Sequence, residues 1–164
     1  MPAARIRAAR TSTWLAVLAV AGGSLTLIGW MLGIPQLADW FGLGIPQLPN
    51  NALATAAAGV ALWLLHSGRR GAAVAPALLV TAVGALTVAE HLGMPDLGID
   101  RLLLTHDWGA AVSPAPGRMG PPASTSFVLI GQQAQADQHE AGGRGRAHSS
   151  GRGRHGVAPV MGEQ

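Results

Sequence analysis

The side chains most able to do chemistry lie in the stretch "AEHLGMPDLGIDRLLLTHDWG", which holds Glu90, His91, Asp96, Asp100, His106 and Asp107. Imidazoles and carboxylates are the residue types that ligate metals. Their spacing matches no specific ligand set. Glu90-His91 also has a plainer role at the end of a helix, where a cation meets the negative end of the backbone dipole. A second group is the arginines of "GRGRAHSSGRGRHG", namely Arg144, Arg146, Arg152 and Arg154. Arg-Gly segments bind single-stranded nucleic acid when aromatic side chains stack on the bases. No aromatic is interleaved here, and Asp137, Glu140 and Glu163 nearly cancel the positive charge. Nucleic acid is therefore not an expected partner. The chain shows no nucleophile beside a base, no phosphate-binding glycine loop and no paired carboxylates on a defined scaffold. No catalytic residue, cofactor, metal or enzymatic activity is expected.

The elements that position these residues point to lipid. The chain has 164 residues, and 12% are charged, against about 25% in ordinary soluble domains. It contains no cysteine, which excludes disulfides and thiolate metal sites. Every basic side chain is Arg, with no Lys and no Tyr, the signature of a GC-rich bacterial gene. Residues 14–32 read "WLAVLAVAGGSLTLIGWML", without a charge. At 1.5 Å per residue this run covers about 30 Å of hydrocarbon. Trp14 and Trp30 stand near its ends, where indoles favour the membrane interface. A secretory signal is the rival reading, with Arg5, Arg7 and Arg10 as its charged start and Ala19-Val20-Ala21 as a cleavage site. The apolar run continues well past that point, which favours an uncleaved anchor.

Two further spans are expected. Residues 51–65, "NALATAAAGVALWLL", form a short, Ala-rich segment that is marginal alone. Ala54, Ala58, Gly59 and Ala61 suit close helix packing within a bundle. Residues 72–89, "AAVAPALLVTAVGALTVA", carry no charge, and Pro76 is expected in the first turns, where its missing N–H costs least. The topology determinants are Arg5, Arg7 and Arg10 before the first span and Arg69 and Arg70 between the second and third. Residues 35–50 carry only Asp39. By the positive-inside rule the N-terminus (1–13) and the turn at 66–71 are cytoplasmic, and 35–50 and 90–120 face outward.

The first outer loop repeats "LGIPQL" at residues 32–37 and 43–48. Pro35 and Pro46 should each stop or redirect a helix. The loop is expected to re-enter the interface with Leu37, Trp40, Phe41 and Leu48, as an anchor or as a lid that senses a ligand or the bilayer. "GIDRLLL", followed by Pro114 and Pro116, reads as a short amphipathic turn on the membrane surface.

Together, "LIGWMLGIPQL", "PNNALATAAAGVALWLL", "RR", "ALLVTAVGALTVAEHLGMPDLGIDRLLL" and "PGRMGPPASTSFVLIG" resemble the N-terminal membrane region of bacterial sensor histidine kinases and diguanylate cyclases that carry PAS domains. The family's "PNTAL" start corresponds to Pro49, Asn50, Ala52 and Leu53, with Asn51 where Thr is usual. Its "E-(Y/H)-L-G…D-L-G-I-D" stretch corresponds to Glu90 and to Asp96, Leu97, Gly98, Ile99 and Asp100. Its "PGRM" corresponds to Pro116, Gly117, Arg118 and Met119. The likeness covers residues 27–131 and implies an all-α membrane protein of the bacterial inner membrane, multi-pass with a cytoplasmic N-terminus. It would be a sensory input region, with lipid bilayer and a second copy or partner transmembrane helices as its partners. A free-standing structural or accessory membrane protein is the alternative.

After Gly131 the chain leaves the family's pattern. The apolar run "FVLIG" gives way to "QQAQADQHEAGGRGRAHSSGRGRHG". From Pro121 to Gly131 it is about half the length a span needs. Residues 121–131 are therefore expected to be the start of a fourth span, and 132–164 a disordered tail of the composition a frameshift near Gly131 would yield. The expected organisation is a basic N-terminus (1–13), a helical membrane region (14–131) and that tail.

Overall fold

A computed structural model describes residues 2–44, 46–95 and 119–151, with side chains placed for 11–44, 46–95 and 119–137. The described residues are helical, with no strand among them. Helix α1 is Pro2–Leu32, α2 is Pro35–Ala38, α3 is Pro49–His66, α4 is Arg70–His91 and α5 is Pro121–Gly151.

The helix ends follow from local sequence. Pro35 and Pro49 open α2 and α3, where the missing N–H is an orphan in any case. Helix α1 ends at Gly33, whose φ of 70° is one that glycine adopts without steric cost, and Ile34 N–H then donates to Gly29 O at 2.8 Å. The same wrap closes α3, from Arg69 N–H to Leu64 O (2.9 Å), and α4, from Met94 N–H to Ala89 O (3.1 Å).

Helix α1 packs on α3, α3 on α4, and α4 on α5. The neighbours run antiparallel, because Gly23 of α1 faces Ala52 and Ala56 while Gly59 of α3 faces Ala16 and Val20. On the other side of the bundle, Gly84 of α4 faces Ser124, Phe127 and Val128, and Gly131 of α5 faces Ala77 and Thr81. The α1–α3 and α4–α5 pairs thus each meet through two glycines, one from either partner. The bundle has two distinct ends. One holds Arg69 and Arg70 and the start of α1; the other holds Trp30, Pro49, Glu90 and Pro121. They are called here the arginine end and the proline end.

Many large apolar side chains face outward while alanines line much of the interior, with Trp30, Met119 and Val80 the largest apolar side chains fully buried. Ala16 is fully buried, whereas Leu18, two residues on, is 65% exposed. Trp14, Leu15, Met31 and Leu32 are exposed as well, and the interior is lined by Ala52, Ala54, Ala61, Ala73 and Ala77. Water drives the opposite arrangement, because burying Leu gains more than burying Ala. Among the described residues, two helical stretches, Thr11–Leu32 and Arg70–His91, are long and apolar enough to cross a membrane, and each is mostly unburied by the bundle.

The expectations need correction at several points. Three spans were expected, and α3 on its own does not reach this length and apolarity. Its 18 residues open with Pro49, Asn50 and Asn51 and close with His66, so its apolar core is short by itself, in keeping with the reading of a segment that is marginal alone. Pro76 is the seventh residue of α4, at the end of its second turn, two residues deeper than a start at Ala72 would place it, because α4 starts at Arg70. The Ala72 carbonyl therefore has no N–H partner at Pro76, a defect that packed helices tolerate. Residues 2–13 are helical and continuous with the first apolar stretch, since α1 begins at Pro2, and Arg5, Arg7 and Arg10 lie on its early turns.

The largest correction concerns the tail. Helix α5 runs on past Gly131 to Gly151, a length of 31 residues, or roughly 46 Å. Residues 132–151 are helical, not disordered. Gln and Ala at 132–136 are good helix formers. Gln135 Nε2 also donates to Thr81 Oγ1 of α4 at 2.9 Å, and Gln133 Nε2 donates to Asp137 Oδ1 at 3.0 Å. Residues 152–164 lie outside the described residues.

Candidate functional site

The residue types that could recognise something gather at the proline end. Thr26, Asn50, Thr87, Glu90 and Ser124 are all buried, one or two from each main helix. Several are tied down locally. Thr87 Oγ1 donates to Val83 O at 3.0 Å, and Ser124 Oγ to Pro121 O at 3.0 Å. Thr26 Oγ1 donates to Gln47 Oε1 at 3.3 Å. Trp30, buried like Thr26 on α1, donates its indole N–H to Gln47 O at 2.8 Å. One residue of the loop thereby holds α1 through both its side chain and its backbone. Sequence reasoning missed Gln47; its signal was a polar residue flanked by Pro46 and Leu48 just before a proline-started helix.

The loop between α1 and α3 folds back along α1. Leu37 lies against Gly29, and the ring of Trp40 lies over Gly22, two turns deeper. Leu37 and Trp40 thus lie against α1, while Phe41 and Leu43 point outward and are largely exposed. A loop folded against an apolar helix must satisfy its own backbone. Asp39 does this: its Oδ1 accepts from Leu43 N–H (3.1 Å) and its Oδ2 from Gly44 N–H (2.6 Å). Gln47 N–H returns to Ala38 O at 2.8 Å, closing the loop. Between this loop, α3 and the start of α5 lies a recess of about 370 Å³, lined among others by Asp39, Trp40, Phe41, Gln47, Asn51 and Met119.

The family-motif positions divide in two. Pro49, Asn50 and Ala52 are buried on the first turn of α3, with Leu53 half-buried. Glu90 is buried near the end of α4. Met119 is buried just before α5 and packs with Ala54, Ala57, Val80 and Phe127. The fold thus brings the three separate motif segments to one end of the bundle. Asp96, Leu97, Gly98, Ile99, Asp100, Pro116, Gly117 and Arg118 lie outside the described residues, as do His106 and Asp107. Of the His and carboxylate candidates for a metal, Glu90 and His91 are described. His91 is exposed, and its Nδ1 donates to Thr87 O at 2.7 Å, the bond of a helix end.

The arginine end carries a contact that the sequence did not announce. Ser12 Oγ of α1 lies 2.5 Å from His66 Nε2 of α3. His66 Nδ1 lies 3.0 Å from Leu62 O, and a carbonyl only accepts, so Nδ1 carries the proton and Nε2 accepts from Ser12. A nucleophilic serine needs its histidine oriented for proton transfer, as a carboxylate does in hydrolase triads. Here the orienting group is a backbone carbonyl, and the pair acts as a clamp between the end of α3 and the body of α1. Arg69 and Arg70 beside it are exposed. Arg5, Arg7 and Arg10 lie on the part of α1 that leads to Ser12, and Arg144 and Arg146 on the part of α5 that leaves the bundle at this end.

Comparison with protein-family models, with curated proteins and with solved structures finds no match to this chain.

Proposed function

We propose that this chain is a multi-pass membrane protein whose bundle serves as the sensory input region of a bacterial signal-transduction protein. The observation that carries the membrane part is the inverted distribution of side chains, with Ala16 buried and Leu18 exposed on one helix. An exposed apolar surface of this extent marks contact with lipid or with partners. The arginines at one end and the lone Asp39 in the loop at the other support an inner-membrane orientation with the arginine end cytoplasmic. Helix α5 runs antiparallel to α4, so in this orientation residues 138–151 continue into the cytoplasm. The polar loop segment and the buried motif residues Asn50, Glu90 and Met119 form the outward end.

The input role rests on two supports, the family resemblance of the motif segments and the continuity of α5. A rigid helix that begins beside the outward recess and ends beyond the cytoplasmic face is the form of element that carries a packing change across a membrane. Its glycine contacts at Gly84 and Gly131 hold backbones close, and small shifts there have two discrete outcomes because packed helices are not continuously deformable. The chain itself is proposed to lack kinase or cyclase activity.

The test is a chimera in which a histidine-kinase output domain follows Gly151 in helical register. A Gly84→Leu substitution, or a one-residue insertion after Asp137, should change its autophosphorylation severalfold in membranes. Equal output from all such chimeras, with each protein correctly inserted, overturns the input role.

A second reading is a free-standing accessory protein that binds other transmembrane helices. A groove of about 400 Å³ favours it, running between α1 and α5 and lined by Leu15, Ala19, Ala58, Leu62, Leu65 and Ile130. Under this reading, cross-linking from Leu15 captures a different membrane protein, and the chimeras are silent.

A further inference from the structure

We propose that the recess at the proline end binds an organic ammonium group. Its lining combines one carboxylate with aromatic faces. Among the described residues that line it there is no Arg or His beside Asp39. The carboxylate is half-buried and held in place, with one N–H on each oxygen. A carboxylate has about four acceptor sites, so each oxygen retains one. Two backbone donors fix its direction without cancelling its charge.

The aromatic part is equally fixed at Trp40. Its indole N–H donates to Leu37 O at 2.6 Å, and its ring is seated over Gly22. Phe41 follows it at the rim, largely exposed. The faces of Trp and Phe attract a cation, and alkylated ammonium groups suit them because their methyl groups shed water at low cost. Met119 supplies an apolar wall, and Gln47 and Asn51 supply polar rim atoms. The space of about 370 Å³ holds about a dozen water-sized groups. That is the size of a small amine or of an aminoalkyl headgroup. Two sources share this chemistry, a free ammonium compound and the headgroup of a lipid. The proposal stands on this geometry and not on the signalling role, so each can fail without the other.

The experiment uses the full chain in nanodiscs of phosphatidylglycerol, which has no amine. Choline is titrated against its uncharged carbon isostere, 3,3-dimethylbutanol, and binding is read by saturation transfer to the ligand methyl protons. Choline should bind at least tenfold more tightly than the isostere. Asp39→Asn should weaken choline at least tenfold. Because Asp39→Asn also loosens the loop, Phe41→Leu serves as the second variant. Phe41 is largely exposed and supports no fold contact on which the bundle depends, and its loss should weaken choline about threefold. Equal binding of choline and isostere, or choline binding unchanged in both variants, overturns the proposal, and so does no choline binding in any disc. Replacing half of the lipid by phosphatidylethanolamine then decides the source: a severalfold loss of choline affinity assigns the site to the lipid headgroup, and an unchanged affinity to a free amine.

Discussion

Gly59 of α3 lies so close to Ala16 of α1 that a β-carbon built on it would stand 2.8 Å from the Ala16 carbonyl oxygen. The same distance would separate it from the backbone nitrogen of Val20. These neighbours are backbone, so they cannot swing aside. The closeness of α1 and α3 therefore depends on the absence of a side chain at Gly59, as it does at Gly23 of α1.

Gly59→Val should separate the two helices. Overpacking typically costs about 1–3 kcal/mol, and the outcome is read as loss of the folded bundle in a detergent melt. Gly84→Val should do the same between α4 and α5, where the β-carbon would meet Ser124 O at 2.7 Å. Melts indistinguishable from the parent would mean that the helices do not pack by these faces.

Gly68 and Gly71 make a controlled pair. Both meet open space, but Gly68 has φ of 74° while Gly71 lies in the first turn of α4. Gly68→Ala should cost about 1–2 kcal/mol, the penalty of a left-handed L-residue. Gly71→Ala should be neutral or stabilising by up to about 1 kcal/mol. Thermal unfolding of the two variants compares them directly, and equal effects would contradict the turn.

Leu18→Asp distinguishes lipid from water as the surroundings of α1. Leu18 is 65% exposed, so in water the change would be harmless. In a bilayer, Asp near a helix centre costs about 2.5–3.5 kcal/mol, and insertion of the first span should fall sharply. Carbonate extraction of cell membranes gives the answer.

Reporter fusions test the arrangement of the ends. Fusions after Gly68 and after Asp137 should report the cytoplasm, and a fusion after Gly44 the opposite side. A fusion after Asp137 that reports the outer side would overturn the traverse of α5.

Trp30→Phe removes the indole donor to Gln47 O in a buried setting. A net loss of about 1 kcal/mol is expected, with the loop rather than the bundle affected. Hydrogen exchange at Gln47 and Leu48 should rise, while α3 stays protected.

Much of the helix content was legible in the sequence because it depends on nearby residues. The apolar runs that became α1, α3 and α4 were legible, as were the proline starts and the arginine asymmetry. The lengths were less so. Asn50 and Asn51 shorten the apolar part of α3, and Pro76 lies deeper in α4 than the apolar run suggested. That Asn50, Glu90 and Met119 lie at one end of the bundle needed the fold, since nothing in their spacing says that three helix ends coincide.

The two "LGIPQL" repeats mark the boundary between the two kinds of information. In the first, Pro35 opens α2 and Gln36 is exposed. In the second, Pro46–48 form no helix and Gln47 bonds Thr26 and Trp30. Identical residues took different structures because the first copy follows directly on the end of α1, whereas the second returns across α1 and leads into α3. Helix α5 shows the same thing at Gly131. Composition alone marked residues 132–151 as a tail, since it counts how much apolar surface a segment can bury by itself. The sequence by itself determined an all-helical chain with apolar stretches, a basic end and glycines placed for close approach. Tertiary structure decided that α5 continues, because an antiparallel α4 offers Gln135 a hydroxyl at Thr81 and Gly131 a backbone to lie against, partners that no window of local sequence contains.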